Sequence, residues 1–360
     1  MQICICRVRV EYVKLKAICM PKQWKTIASS MLKDSGYPVY GANGIIGYYS
    51  EYNHDKETIL VTCRGATCGS VNICEPFSYI NGNAMALDNL DEKIDIKYLY
   101  YYLKKRGFDD VISGSAQPQI TRTSIEKIEI PICEISKQKM IVNLFDKIEL
   151  LINNQKRQLQ LLDELVKARF VEMFGEYEAS VKLSRYIKEL RAGKSLAGKT
   201  KCKNKVLKTG AATFGFFDKE QYKYYPVEYV PNPLHKVEDG DVIISRMNTP
   251  ELVGSCSYVF EAPDDMYYPD RLWKTIITED TNPIFLWQLM WQQDIRKQIK
   301  ENSFGTSGTM NNISKVKLLN IKAIDVPLEL QNQFASFVQE IDKSRLLSNQ
   351  SLFLLKSMIF

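Results

Sequence analysis

Eight residues in the second half of the chain have the spacing of a phosphate cradle. Gly193-Lys194-Ser195-Leu196-Ala197-Gly198-Lys199-Thr200 fits the pattern G-x-x-x-x-G-K-T, in which glycine backbone wraps a nucleotide's phosphates and the lysine neutralises them. That chemistry needs a buried strand before the loop and a helix N-terminus after it. Here the preceding Lys188-Glu189-Leu190-Arg191-Ala192 is charged and not strand-like, and the following Lys201-Cys202-Lys203-Asn204-Lys205 has no helical apolar stripe. No apolar run ends in an acidic pair able to hold magnesium. Other catalytic patterns are incomplete. Asn232-Pro233-Leu234-His235 lacks the second proline and the aromatic of an N/D-P-P-Y/F amino-methylation motif, and Pro269-Asp270 with Lys274 lacks the middle acid of a magnesium nuclease. His54 and His235 have no nucleophile at a suggestive spacing. The nine cysteines (Cys4, Cys6, Cys19, Cys63, Cys68, Cys74, Cys133, Cys202 and Cys256) form no C-x-x-C pair, so they read as reduced, mostly buried thiols rather than zinc ligands. The expectation is a chain without catalysis, metal or cofactor.

What these residues offer instead is charge. Lys188, Arg191, Lys194, Lys199, Lys201, Lys203, Lys205 and Lys208 stand against the single acid Glu189. That local excess is larger than the net +6 of the whole chain, which has 48 Lys and Arg against 42 Asp and Glu. The run reads as a mobile loop that neutralises the phosphates of a polyanion, with a solvated surface loop as the alternative.

The elements that must carry such residues follow from length and pattern. The 360 residues suffice for two domains, and 45% hydrophobic with 25% charged residues excludes wholesale disorder. No stretch approaches the ~18 apolar residues of a membrane span. Residues 1–20 carry Arg7, Arg9, Glu11, Lys14 and Lys16, which breaks the apolar core of a signal peptide; a cytoplasmic protein is expected.

The chain repeats itself weakly. Val13-Lys14-Leu15 matches Val181-Lys182-Leu183, and Ile59-Leu60-Val61-Thr62-Cys63-Arg64 matches Val242-Ile243-Ile244-Ser245-Arg246. Pro118-Gln119-Ile120-Thr121 matches Asn311-Asn312-Ile313-Ser314, and Ile130-Pro131 matches Val326-Pro327. Each unit ends in a long helical pattern. From Ser136 to Phe174 the apolar residues recur every three or four positions, with Gly175 as a stop, giving a rod of roughly 55 Å. Asn153, Asn154 and Gln155 interrupt the stripe and are expected to fix register against a partner helix. The second helix runs from Glu329 to Phe360 and is shorter. The two rods are expected to pair antiparallel. Residues 36–90 and 205–280 read as strands and turns, with Asp239-Gly240-Asp241 turning into Val242-Ile243-Ile244; short helices are expected over Asp95–Arg106 and Ile284–Lys300. Each unit is therefore α+β. The tyrosines Tyr48, Tyr49, Tyr224, Tyr225, Tyr267 and Tyr268 are expected in the core.

Three stretches carry a family resemblance: Tyr37-Pro38-Val39-Tyr40-Gly41-Ala42-Asn43-Gly44-Ile45-Ile46-Gly47, the run Cys63-Arg64-Gly65-Ala66 with Cys68-Gly69, and Gln117-Pro118-Gln119-Ile120-Thr121 leading to Ile130-Pro131 and the long helix. This ordered set, given twice, resembles the specificity subunits of type I restriction–modification systems, from about Val13 to the end of the chain. The resemblance implies a non-catalytic reader of double-stranded DNA. Two target-recognition domains, residues 1–132 (with an atypical start at 1–12) and 180–328, would each read half of a split, asymmetric sequence. Two antiparallel coiled-coil spacer helices, within 133–179 and 329–360, would dock two methyltransferase (modification) subunits, which restriction motor–nuclease subunits join. The short second helix would leave part of the first uncovered. On the helices, Ile141, Leu144, Ile148, Leu151, Leu162, Leu165, Phe334, Phe337 and Ile341 are the expected partner-binding positions.

Base edges are read by Arg, Asn, Gln, Ser or Thr on loops held by strands. The candidates in the first reader are Asn43, Arg64, Thr67, Gln117, Gln119, Thr121 and Arg122; those in the second are Thr213, Arg246, Asn248, Arg271, Thr306, Asn311 and Asn312. Lys199, Lys201, Lys203, Lys205 and Lys208 are the expected phosphate contacts. Two readers on one face of B-DNA would stand about 34–36 Å apart. A stand-alone DNA-binding or regulatory protein, or a silent exchange copy of a specificity gene, is the other reading.

Overall fold

The computed structural model describes residues 11–114, 117–305 and 310–359. Residues 1–10 of the atypical start, and Thr306, lie outside the described residues. Contacts divide the chain into two compact units, residues 1–158 with 348–360, and residues 159–347.

The first unit contains β1 (Glu11–Lys14), β2 (Met20–Gln23), β3 (Tyr37–Gly41), β4 (Gly44–Tyr49), β5 (Thr58–Thr62), β6 (Val71–Cys74), β7 (Tyr79–Ile80), β8 (Ala84–Asp88), α1 (Ile96–Arg106), α2 (Arg122–Ile125), β9 (Glu129–Ile132) and the start of α3 (Ile135–Phe174). A four-stranded sheet runs β2-β8-β5-β6, a three-stranded sheet runs β4-β3-β7 with β3 parallel to β7, and β1 pairs with β9. The central strand β5 is a run of Ile59, Leu60 and Val61 buried on both faces, as β-branched and aliphatic side chains favour. Asp95 caps α1 by accepting from the Lys97 and Tyr98 amides, and Leu99 and Leu103 enter the core with Leu15, Ile59, Met85 and Phe108. The opposite side of α1 docks on α3. Tyr101 donates to Asp146 (2.7 Å) and Glu149 (3.0 Å), while Lys97 pairs with Asp146 (2.9 Å) and Lys104 with Glu149 (3.1 Å). Deeper along α3, Ile148 and Ile152 are buried with Leu352 and Leu355 of the last helix.

The second unit takes the remainder of α3, then β10 (Ala179–Lys182), β11 (Ile187–Ala192), β12 (Lys205–Leu207), β13 (Tyr222–Tyr224), β14 (Val242–Ser245), β15 (Met247–Asn248), β16 (Cys256–Tyr258), β17 (Met266–Tyr267), β18 (Leu272–Ile277), α4 (Pro283–Met290), α5 (Gln293–Asn302), β19 (Asn311–Asn312), α6 (Lys315–Leu319), β20 (Lys322–Ile324) and most of α7 (Leu328–Ile359). Its sheets repeat the first unit's plan: β11-β18-β14-β16, β13-β12-β17 with β12 parallel to β17, and β10 paired with β20. Its core joins helices to sheet through aromatic rings. Phe170 and Phe174 of α3 meet Phe334 of α7 at 5.4 and 5.6 Å, and Phe285 of α4 lies 5.3 Å from Phe174. Each fully buried ring contributes about 1.5–3 kcal/mol. Asp163 pairs with Arg345 and Phe170 with Phe334, so rising numbers on α3 meet falling numbers on α7. The helices are antiparallel, as their patterns indicate.

Four local expectations are corrected. The helix expected over Ile284–Lys300 is two helices. Trp291 closes α4 with helical backbone and its indole Nε1 donates to the Cys256 carbonyl (3.0 Å), while Gln292 is extended and breaks the path. Lys188–Ala192, judged too charged for a strand, belongs to β11, an edge strand that buries Ile187 and Leu190 and exposes Lys188 and Glu189. Asn153 and Asn154 are exposed rather than set in the helix pair. Of the six tyrosines, Tyr225 and Tyr268 are fully buried but Tyr48 is exposed. Among the described residues no helix is long and apolar enough to cross a membrane, and no group of three or more His, Cys, Asp and Glu stands where it would hold a metal.

Candidate nucleic-acid interface

In the first unit three loops converge beyond the end of β5. Thr62 is buried and donates its hydroxyl to the Ala42 carbonyl (2.5 Å), tying the β3–β4 connection to β5. The chain then turns at Gly65, whose φ of +92° suits a residue without a side chain. Thr67 donates to the Asn43 side-chain oxygen (2.6 Å), and Gly65 N–H donates to the Pro118 carbonyl (3.2 Å). Arg64 and Gln119 face each other in an antiparallel bridge. Asn43, Arg64, Thr67, Gln117 and Gln119 are thus gathered at one end of the sheets, all exposed. Thr121 and Arg122 have local work. Thr121 caps α2 by accepting from the Ser124 amide (3.2 Å), and Arg122 pairs with Glu126 (2.6 Å), which accounts for both residue types without a ligand.

The second unit builds the same corner. Ser245 N–H donates to the Ser255 carbonyl and Gly254 N–H to the Ser245 carbonyl, both at 2.8 Å, as Thr62 does with Ser70 and Gly69. Ile313 N–H donates to the Arg246 carbonyl (3.2 Å) as Ile120 does to Cys63 (3.0 Å). These bonds correct the sequence match by one residue. Arg246 occupies the position of Cys63, and the counterpart of Arg64 is Met247, which pairs with Asn312 as Arg64 pairs with Gln119. Successive strand residues point to opposite faces, so the two arginines do different things. Arg64 is exposed, whereas Arg246 is half-buried with Nε donating to the Asn312 side-chain oxygen (3.2 Å). Thr213 is buried. Its hydroxyl donates to the Thr209 carbonyl (3.0 Å) and accepts from Asn248 (3.3 Å), so it positions Asn248 rather than presenting itself. Asn311 donates to Ser303 (2.8 Å), and Arg271 is exposed with its carbonyl held by the Arg246 amide (2.9 Å).

The phosphate-cradle motif takes another form. Residues 193–204 lead into the strand β12, so a strand and not a helix follows the loop. A side chain at Gly193 would meet the Tyr268 carbonyl at 1.8 Å, and one at Gly198 the Tyr225 carbonyl at 2.5 Å. Both glycines therefore let the loop lie flat on its own unit. Lys199, Lys201, Lys203 and Lys208 project outward, and Lys205 lies over the Tyr222 ring (4.6 Å). Burial, followed by the charges of Arg191 and Lys194, holds the His235 imidazole below its ordinary value. The exposed lysines make the loop a basic surface suited to phosphate.

The helix positions divide. Leu144, Leu151 and Leu165 are exposed; Ile141, Leu162, Phe337 and Ile341 are half-buried. Ile148 and Phe334 are buried within the chain's own helix contacts, so they hold the fold instead of a partner. Sequence reasoning passed over Gln138 and Gln331 as side chains with a task. Their signal was a glutamine in the first turn after each repeated Ile-Pro or Val-Pro pair.

Comparison with known proteins agrees with this geometry. Residues 7–163 match the family model of the type I restriction modification DNA specificity domain. A Haemophilus influenzae protein described as a type I restriction enzyme specificity subunit is 24% identical over 344 residues, covering 90% of this chain and 84% of that one. The Escherichia coli EcoprrI specificity subunit is 30% identical over 118 residues, 33% of this chain and 29% of its own. In fold, the S subunit of the M. genitalium type I system aligns over 100% of this chain and 96% of its own, with 16% identity and a TM-score of 0.59. The duplicated corner, the antiparallel helices and these matches make the chain similar, over most of its length, to the specificity subunits of type I restriction–modification systems.

Proposed function

We propose that the chain is the DNA sequence reader of a type I restriction–modification complex and performs no chemistry itself. Residues 1–132 and 180–328 are the two target-recognition domains, and each reads one half of a split, asymmetric site. Exposed Asn43, Arg64, Thr67, Gln117 and Gln119 serve the first half-site; Asn248, Arg271, Asn311 and Asn312 serve the second, with Arg246 and Thr213 behind them. The lysines from 199 to 208 hold the backbone of the duplex, which sets position rather than sequence. The helical segments 133–179 and 329–360 dock two methyltransferase subunits, to which motor–nuclease subunits add. Exposed Leu144, Leu151 and Leu165 support that docking. The complex works on DNA in the cytoplasm.

The observation that carries this reading is the corner of polar loops built twice on one sheet plan. Different side chains on the same backbone are what two unlike half-sites require. Methylome sequencing of a host with and without the chain tests it. A split methylation motif present only with the chain is expected; an unchanged methylome would refute the reading.

A further inference from the structure

The β12–β13 connection of the second unit carries two exposed rings. Phe214 is 69% and Phe216 58% exposed. Single exposed apolar residues are common on soluble proteins, but these two flank a pinned glycine. Gly215 has a φ of +85°, its carbonyl accepts from the Trp287 indole Nε1 (2.9 Å), and a side chain there would touch the Trp291 ring at 3.5 Å. The neighbouring Thr213 is buried and bonded on both sides. The rings are therefore held out by a fixed backbone, so the backbone's ordering cost is met before any ligand arrives.

Their surroundings say what they face. Thr213, the residue before Phe214, accepts from Asn248 of the polar corner. Lys208 lies six positions before Phe214, at the end of the basic run. The topologically equivalent β3–β4 connection of the first unit carries Asn43, bonded to Thr67, followed by exposed Ile45 and Ile46. In the first unit the exposed apolar pair begins strand β4, and in the second it stands within the connecting loop; in both it follows the connection's polar contact.

We propose that Phe214 and Phe216 make apolar contact with the bases of the second half-site, reading what hydrogen bonds cannot. Phenylalanine contacts thymine methyl groups in grooves and wedges against base steps, and a positively charged loop beside it would bring the duplex within reach. This rests on the DNA-reading function proposed above and adds to it a set of specificity-determining residues.

The test uses the full chain in complex with its methyltransferase subunits. Phe214→Ala and Phe216→Ala, singly and together, are compared with Val230→Ala, an exposed apolar residue elsewhere in the unit. All should fold, because no buried ring is removed. The methylation motif in vivo and binding to duplexes with and without that motif are measured. For the double variant the expected result is relaxed sequence preference at one or two positions of one half-site only. Specific affinity should fall about five- to 150-fold, the cost of one mismatched base pair, with binding to motif-free DNA within twofold of wild type. An unchanged motif and affinity, or an equal loss on both duplexes, would overturn the proposal. If the wild-type complex methylates no split motif, the DNA-reading function itself fails, and that outcome is distinct.

Discussion

Gln138 and Gln331 make the same three hydrogen bonds in the two units. Each is fully buried in the first turn of its long helix. The Gln138 side-chain oxygen accepts from the Asp95 amide (2.8 Å) and its nitrogen donates to the Lys93 (2.9 Å) and Cys133 (2.8 Å) carbonyls. Gln331 accepts from the Asn282 amide (2.9 Å) and donates to the Asp280 (3.2 Å) and Val326 (2.7 Å) carbonyls. Asp95 and Asn282 are the N-caps of α1 and α4. One buried carboxamide therefore joins the reader's first core helix to the start of the spacer helix, and duplication has kept that joint while the loops diverged.

Gln331→Ala should destabilise the second unit strongly. It leaves one amide and two carbonyls without partners in a dry site, at about 3 kcal/mol together. The melting temperature should fall by about 6–12 °C for a unit of this size. Calorimetry on the variant checks this; a fall of less than 2 °C would mean water replaces the side chain.

Charge reversal at Lys199, Lys201, Lys203 and Lys208 should weaken binding to every DNA sequence alike. Each lost phosphate contact lowers the slope of log affinity against log salt by about 0.9. A salt titration reads both effects. An unchanged slope would make the loop a solvated surface.

The His235 imidazole sits below its ordinary value because of burial and then the neighbouring cations. The unfolded chain therefore binds that proton more readily, and the group's contribution to stability is present above pH ~6.5 and lost as pH falls through the lowered value. Melting of wild type and His235→Gln at pH 7.5 and 5 should show a smaller acid loss in the variant. Equal losses would contradict this placement of the imidazole.

Leu144→Asp with Leu151→Asp should leave folding almost unchanged, since both side chains are exposed, and abolish co-purification with methyltransferase subunits. Ile148→Asp should instead damage the chain itself, because that side chain is buried against α7. Retained co-purification of the double variant would move docking to another surface.

Much of the fold was legible in the sequence because it rests on period and repetition. The three-four spacing of α3 and α7, the buried run of β5 and its counterpart β14 in the second unit, and the paired Ile-Pro and Val-Pro steps each reflect a local physical requirement. The site was legible only as a region. Arg64 and Arg246 align by eye, yet backbone pairing shifts them by one residue, and in a strand one residue exchanges inside for outside. Thr213 and Thr121 have the residue type of base readers, but their hydroxyls are engaged within the fold. No pattern distinguishes a hydroxyl that caps a helix from one that meets a base. The break at Gln292 was hidden for a similar reason: the neighbouring Trp291 indole bonds to Cys256, 35 residues away.

The most direct test of the duplicated reader is to disarm one corner at a time and read the methylome. Asn43→Ala with Arg64→Ala removes side chains from the first unit alone, and Asn248→Ala with Arg271→Ala from the second. The expected result is that each pair relaxes one half of the split motif and leaves the other half intact, with the spacing unchanged. If either pair degrades both halves, or if neither alters the motif, the two units are not independent readers.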